Sequence, residues 1–157
     1  MKYLYLPIIA AFLLISACGN KTAPADQSSA LEDAAIQAAT ERMVQLYGEN
    51  AQPSTKTTFI NDSLCILYIS CTRPDGVMHQ DELVYFDNKT EKPRTYLNSD
   101  MLIDRDSEAM FSIVQFANDA YHSGSIIVSR DEFIINMCMS TLEMAEENVQ
   151  EQEHQEE

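Results

Sequence analysis

The chain has 157 residues, enough for one domain with short appendages. Its formal net charge is −15, from 25 acidic against 10 basic side chains, which opposes binding to nucleic acid or to anionic lipid surfaces. Residues 4–17 open the chain as an uncharged and almost wholly apolar run, with Lys2 the only charge before Lys21. That run of 14 residues falls short of the roughly 20 that a transmembrane helix needs. A basic start, an apolar core and small residues at the end match a signal peptide over residues 1–17. The competing reading is a helix buried on all sides, since nothing polar alternates with the run.

Ile15, Ser16, Ala17 and Cys18 follow one another as ISAC. This resembles the lipobox of bacterial lipoproteins, an apolar residue and two small ones before a cysteine, although Ile15 stands where leucine is commonest. The resemblance covers only the signal and the first mature residues. It implies that Cys18 is diacylated on its sulfur, that the signal is cut ahead of it, and that the new amine is acylated. Each buried methylene contributes about 0.8 kcal/mol, so several acyl chains hold a soluble domain at a bilayer. Gly19, in place of aspartate, implies the outer membrane by analogy with enteric bacteria. No acidic cluster of the kind that marks surface export in some Bacteroidetes follows Cys18. Loss of Lys2 with the signal leaves the chain one unit more negative.

Residues 18–28 are polar with Ala and Pro and read as a lipidated tether. A single α+β domain is expected over residues 29–145. Ser29 and Glu32 have the spacing of a capping box, so a helix is predicted from there to Gly48, with Leu31, Ala35, Ala38, Ala39, Val44 and Leu46 apolar. Residues 55–60 (TKTTFI) are β-branched and aromatic, NDS is a turn signal, and LCILYISCT (64–72) is apolar on both parities. That last pattern predicts a central strand covered on both faces. RPDG (73–76) fits a tight turn, residues 77–88 resume as a strand, NKTEKP turns again, and RTYLN (94–98) ends an antiparallel meander of about four strands. A helix is predicted over Asp104–Gly124, with Met110, Ile113, Val114, Ala117, Ala120 and Tyr121 in register. Ser129 and Glu132 repeat the capping-box spacing before a second helix using Ile134, Met137, Cys138, Thr141, Leu142, Ala145 and Val149. Residues 146–157, half of them glutamate, read as an acidic disordered tail in which His154 is solvated.

With Cys18 assigned to lipid, Cys65, Cys71 and Cys138 remain. Cys65 and Cys71 lie six residues apart in one predicted strand, about 20 Å, which exceeds the ~7 Å limit for a disulfide. Either is able to meet Cys138 across the core; the preferred reading is three small buried hydrophobes. There is no CxxC and the histidines are scattered, so no metal site and no cofactor is read. Nor is there a Gly-rich phosphate loop, GxSxG, HExxH or a basic patch.

His79, Asp81 and Glu82 offer an acid/base pair or half a metal site, with His79 and Asp81 on one strand face and Glu82 on the other. A solvated face beside the RPDG turn is the preferred explanation. Met101, Met110, Met137, Met139 and Met144 read as core filling rather than an adaptable peptide-binding surface or soft-metal ligands. Asp62, Ser63 and Leu64 resemble the short O-glycosylation motif of exported Bacteroidetes proteins, which makes Ser63 a candidate against a plain hairpin serine. NDS and NKT match the N-glycosylation pattern, which the bacterial lipobox argues against. The tether and the DSLCILYIS strand look like those of small uncharacterised Bacteroidetes lipoproteins, a likeness that implies no activity.

Three functions are carried forward. The first is a non-catalytic interaction module on the periplasmic face of the outer membrane, anchored in the lipid bilayer through acylated Cys18 and bound to an envelope protein. The second is a small-ligand binder with a pocket lined by Tyr68, Tyr85 and Tyr121. The third is a hydrolase built on His79, Asp81 and Glu82.

Overall fold

The computed structural model describes residues 25–101 and 112–155. In chain order these form α1 (Ala25–Tyr47), β1 (Ser54–Ile60), β2 (Leu64–Thr72), β3 (Met78–Phe86), β4 (Arg94–Leu97), a 3-10 turn (Asn98–Met101), α2 (Ile113–His122) and α3 (Arg130–Gln155). The four strands are an antiparallel meander in the order β1-β2-β3-β4. The fold is α+β, helix first, then strands, then two helices, as the sequence predicts.

Turn chemistry sets the meander. Asn61 closes β1 to β2, its side-chain oxygen accepting from the N–H groups of Ser63 at 2.9 Å and Leu64 at 2.7 Å. In the next hairpin the Gly76 N–H donates to the Arg73 carbonyl at 2.9 Å, and Gly76 takes a φ of +83° that few other residues adopt. β2 then pairs in full with β3, from Leu64 opposite Phe86 to Thr72 opposite Met78.

Strand alternation divides one sheet between two cores. Cys65, Leu67, Ile69, Cys71, Leu83, Tyr85 and Leu97 face α1, which brings Leu31, Ala35, Ala39 and Met43 onto them. The alanines at 35 and 39 have no exposed surface, so the helix backbone lies close to the sheet. On the other face Phe59, Leu64, Ile66, Val84 and Tyr96 meet Ile113 and Ala117 of α2 and Ile134, Cys138 and Leu142 of α3. β2 is therefore apolar on both parities because helices cover both of its faces. Arg94 fastens α3 to the sheet margin, lying 5.0 Å over the Phe86 ring and 3.0 Å from Glu146.

Helix boundaries differ from the sequence reading in three places. α1 is already helical at Ala25, so Ser29 lies inside it and residues 25–28 of the expected tether are helix. Ala25, Asp26 and Gln27 contain no helix breaker, and Glu32 accepts a hydrogen bond from the Thr57 hydroxyl of β1 instead of closing a capping box. α2 starts after Ser112, whose backbone is extended (φ −96°, ψ 118°), and not at Asp104. Met110 and the acidic residues expected to open that helix lie outside the described residues. α3 begins at the predicted Ser129 cap, which accepts from the Glu132 N–H at 3.2 Å, and stays helical through Gln155 where a disordered tail is expected from residue 146. Glu and Gln, which dominate this stretch, are good helix formers, and each residue added to an existing helix gains a backbone hydrogen bond.

The cysteines follow the preferred reading. Cys65, Cys71 and Cys138 are free and buried. The alternative of a bridge to Cys138 is corrected: Cys65 and Cys71 face α1, whereas Cys138 lies in the core on the opposite side of the sheet. Burial pushes the Cys65 thiol up to about 12 and the Cys138 thiol up to about 11, so neither supplies a thiolate near neutral pH. In a Cys18→Ala chain, Cys65, Cys71 and Cys138 should resist a thiol reagent until denaturant is added, then all react without prior reduction; counting reactive thiols before and after urea checks this.

Candidate functional site

β3 carries the polar residues that the sequence singles out, and the fold treats them differently from expectation. Asp81 and Glu82 are buried, 0% and 1% exposed, and not part of a solvated face. The hairpin turn ends two residues before His79, so by Asp81 the strand already runs under helices on both faces. Alternation sends Asp81 toward the α1 side and Glu82 toward α2 and α3.

Each carboxylate is tied to a separate end of the segment that joins the sheet to α2. Asp81 Oδ1 accepts from the N–H of Glu82 at 2.8 Å and of Ser99 at 3.1 Å, while Oδ2 accepts from the Ser99 hydroxyl. Glu82 Oε1 accepts from the Ser112 hydroxyl at 2.6 Å and Oε2 from the Ile113 N–H at 2.7 Å. Ser112 in turn caps α2 by accepting from the Gln115 N–H at 3.2 Å. Glu82 thus sits at the N-terminus of α2, where a negative charge is favoured and unpaired N–H groups need acceptors.

Burial raises the Asp81 carboxyl above its ordinary value, against the opposing pull of the Ser99 hydroxyl, two backbone N–H groups and His79. Burial raises Glu82 as well, opposed by Ser112 and the Ile113 N–H and reinforced by the nearby charge of Asp81. His79 Nε2 stands 3.7 Å from Asp81 Oδ2 without a hydrogen bond, and its ring packs on Tyr47 at 5.4 Å between centroids. The hydrolase constellation does not assemble, because Glu82 is on the far side of the sheet from His79 and Asp81 and both carboxylates are occupied by serines. No cluster of three or more metal-ligating side chains occurs among the described residues.

The proposed tyrosine pocket is also dispersed. Tyr85 is in the core beneath α1, Tyr68 lies on the Glu82 face as the cross-strand partner of that residue, and Tyr121 is exposed on α2. Two of the shallow clefts among the described residues lie elsewhere. One, of about 390 Å³, is lined by Asn118, Tyr121, His122, Ser129, Arg130 and Asp131. The other, of about 250 Å³, runs from Tyr47 to Ala51 and across to Thr72 and Pro74. Met43 is fully buried and Met137 and Met139 pack partly against the α2 and α3 core, but Met144 is half exposed and Met101 and Met110 have no described side chain. Ser63 is half-buried in the β1–β2 turn, its carbonyl accepting from the Asp87 N–H at 2.8 Å. Cys18 lies outside the described residues.

Ser99 and Ser112 were not legible as site residues. Ser112 carries a usable signal, since Gln115 stands at capping-box distance from it. Ser99 carries none, its partner being 18 residues away in sequence. No protein family, curated protein or solved structure is found to match the chain.

Glu82→Ala strips acceptors from Ser112 and from the Ile113 N–H and should lower stability by about 2 kcal/mol, with Glu82→Gln close to wild type, as read by urea unfolding. Asp81 and Glu82 both hold protons more tightly folded than unfolded. Their contribution to stability is therefore complete below the ordinary carboxylate values of 3.8 and 4.5 and is lost as pH rises through the raised folded values. Lowering the pH from neutral toward those ordinary carboxylate values should stabilise the wild type relative to an Asp81→Asn, Glu82→Gln double variant in the same urea assay.

Proposed function

We propose that this chain is a lipid-anchored protein of the bacterial cell envelope whose α+β domain acts as a non-catalytic interaction module. The observation that carries the reading is Cys18, placed directly after two small residues at the end of an uncharged apolar run. No helix among the described residues is long and apolar enough to cross a membrane, and the anchor in this reading is the acyl chains alone. Cys18 precedes Ala25 by seven residues, a span of at most about 25 Å, so the bilayer holds the start of α1 close.

Helix direction supports an interaction role at the opposite end. Glu32, near the start of α1, meets Thr57 and lies beside Cys65 at the beginning of β2. Tyr47, at its end, meets His79 at the β2–β3 hairpin. The hairpin therefore points away from the anchored end, and it exposes Val77 and Met78 by more than half, with Leu46 of α1 also exposed. Apolar side chains held in water at a free tip suit contact with another envelope protein. The small-ligand and hydrolase alternatives lack this support, since neither the three tyrosines nor His79, Asp81 and Glu82 converge.

Palmitate labelling of cells tests the anchor: label should enter the wild-type chain and be absent from Cys18→Ala, and equal labelling of both removes the reading. Pull-down from detergent-solubilised envelopes tests the module: a partner recovered with the wild type should be lost with a Val77→Asp, Met78→Asp double variant.

A further inference from the structure

Both buried carboxylates divide their hydrogen bonds in the same way. Backbone N–H groups only donate: Oδ1 of Asp81 takes Glu82 and Ser99, and Oε2 of Glu82 takes Ile113, with the Val114 N–H also turned toward the Glu82 carboxylate. A serine hydroxyl meets the other oxygen, Ser99 at Oδ2 and Ser112 at Oε1. A hydroxyl carries one proton and two acceptor lone pairs and rotates to suit its neighbour.

We propose that Asp81–Ser99 and Glu82–Ser112 are proton-tolerant clamps that hold both ends of the segment between the sheet and α2 whether the carboxyls are charged or neutral. A proton taken from solvent enters on Oδ2 or Oε1. The serine O–H that donated there rotates away, and the new carboxyl O–H donates to the serine oxygen in its place. One hydrogen bond is exchanged for another, and the backbone donors keep the other carboxyl oxygen. Ser99 is an exposed residue and Ser112 a half-buried one, and the proposal requires each displaced hydroxyl proton to turn to water. Ser112 also keeps the Gln115 N–H on its second lone pair.

The surroundings fit this role. Asp81 is faced by Tyr47 from α1, His79 from its own strand and Ser99 from the 3-10 turn, with the Glu82 backbone N–H beside it and the Glu82 carboxyl on the opposite face. Glu82 is faced by Tyr68 of β2, Tyr96 of β4, Ser112 of α2, Cys138 of α3 and Asp81. His79 is the single member of these two sets able to carry positive charge. An arginine in the place of either serine would favour only the ionised carboxylate and weaken on protonation. Serine holds both forms.

The test follows the Asp and Glu side-chain carboxyl carbons of the full chain by NMR from pH 7 downward, with amide hydrogen exchange read at Ser99 and Ile113 across the same range. Protection of both amides, corrected for intrinsic exchange, should stay within about tenfold as the two carboxyls take up their protons. A larger loss at either amide in step with its carboxyl overturns the proposal and makes the pair a switch that opens; unfolding before the carboxyls titrate overturns it too. The Asp81→Asn, Glu82→Gln double variant copies the neutral form, with an amide N–H in place of the carboxyl O–H. At pH 7 it should keep both amides within about tenfold of wild type, and the wild-type titration decides if that variant fails to fold.

Discussion

Two consecutive carboxylates on one strand must point to opposite faces of their sheet. When helices cover both faces, neither reaches water, and each must find acceptor-satisfying donors inside the protein. β3 meets this requirement at Asp81 and Glu82 with donors from the described ends of the stretch between β4 and α2. Ser99 is fixed on one side of the sheet and Ser112 on the other. The two described ends of that stretch are thereby held on opposite faces by two acids adjacent in sequence.

This arrangement explains how a small four-stranded sheet supports two separate cores. β2 and β3 contribute to both, the odd positions to the α1 core and the even positions to the α2 and α3 core. A helix pair that packs by apolar contact alone is free to slide along a smooth sheet surface. The Glu82 carboxylate, bonded to the first N–H of α2 and to its cap, gives that surface one polar reference point at a defined height. α3 follows because Phe133 stacks near Phe116 at 6.0 Å and Arg130 reaches Asn118 at 3.2 Å, both across the α2–α3 pair.

Much of the architecture was legible because it is local. The Asn61 and Arg73–Gly76 turns, the two-sided apolar pattern of β2 and the Ser129 cap each declare themselves within a few residues. Asp81 and Glu82 did not. In sequence they are two acids in a polar stretch beside a turn, and the usual exposure of such residues gives a solvated face. Their burial is matched by Ser99 and Ser112, 18 and 30 residues away in sequence, a pairing that no local pattern declares. The start of α2 was misread for a related reason: apolar residues ahead of Ser112 continue the helical period, and periodicity alone does not register a cap inside it. The faces assigned to the cysteines required the whole sheet, since a strand position states parity but not which helix lies on each side.

The brevity of β4 has its own consequence. It pairs with Leu83–Phe86, so among the described residues the first half of β3 has no strand on its outer side, and the 3-10 turn lies near it. A strand edge without a partner is a template for another chain. β1, at the other margin, carries Lys56 and a register shift between Thr57 and Phe59, both of which discourage such pairing. β3 has the Asp81–Ser99 contact instead. Along that half of β3 the described edge is managed by a side-chain contact instead of by a neighbouring strand.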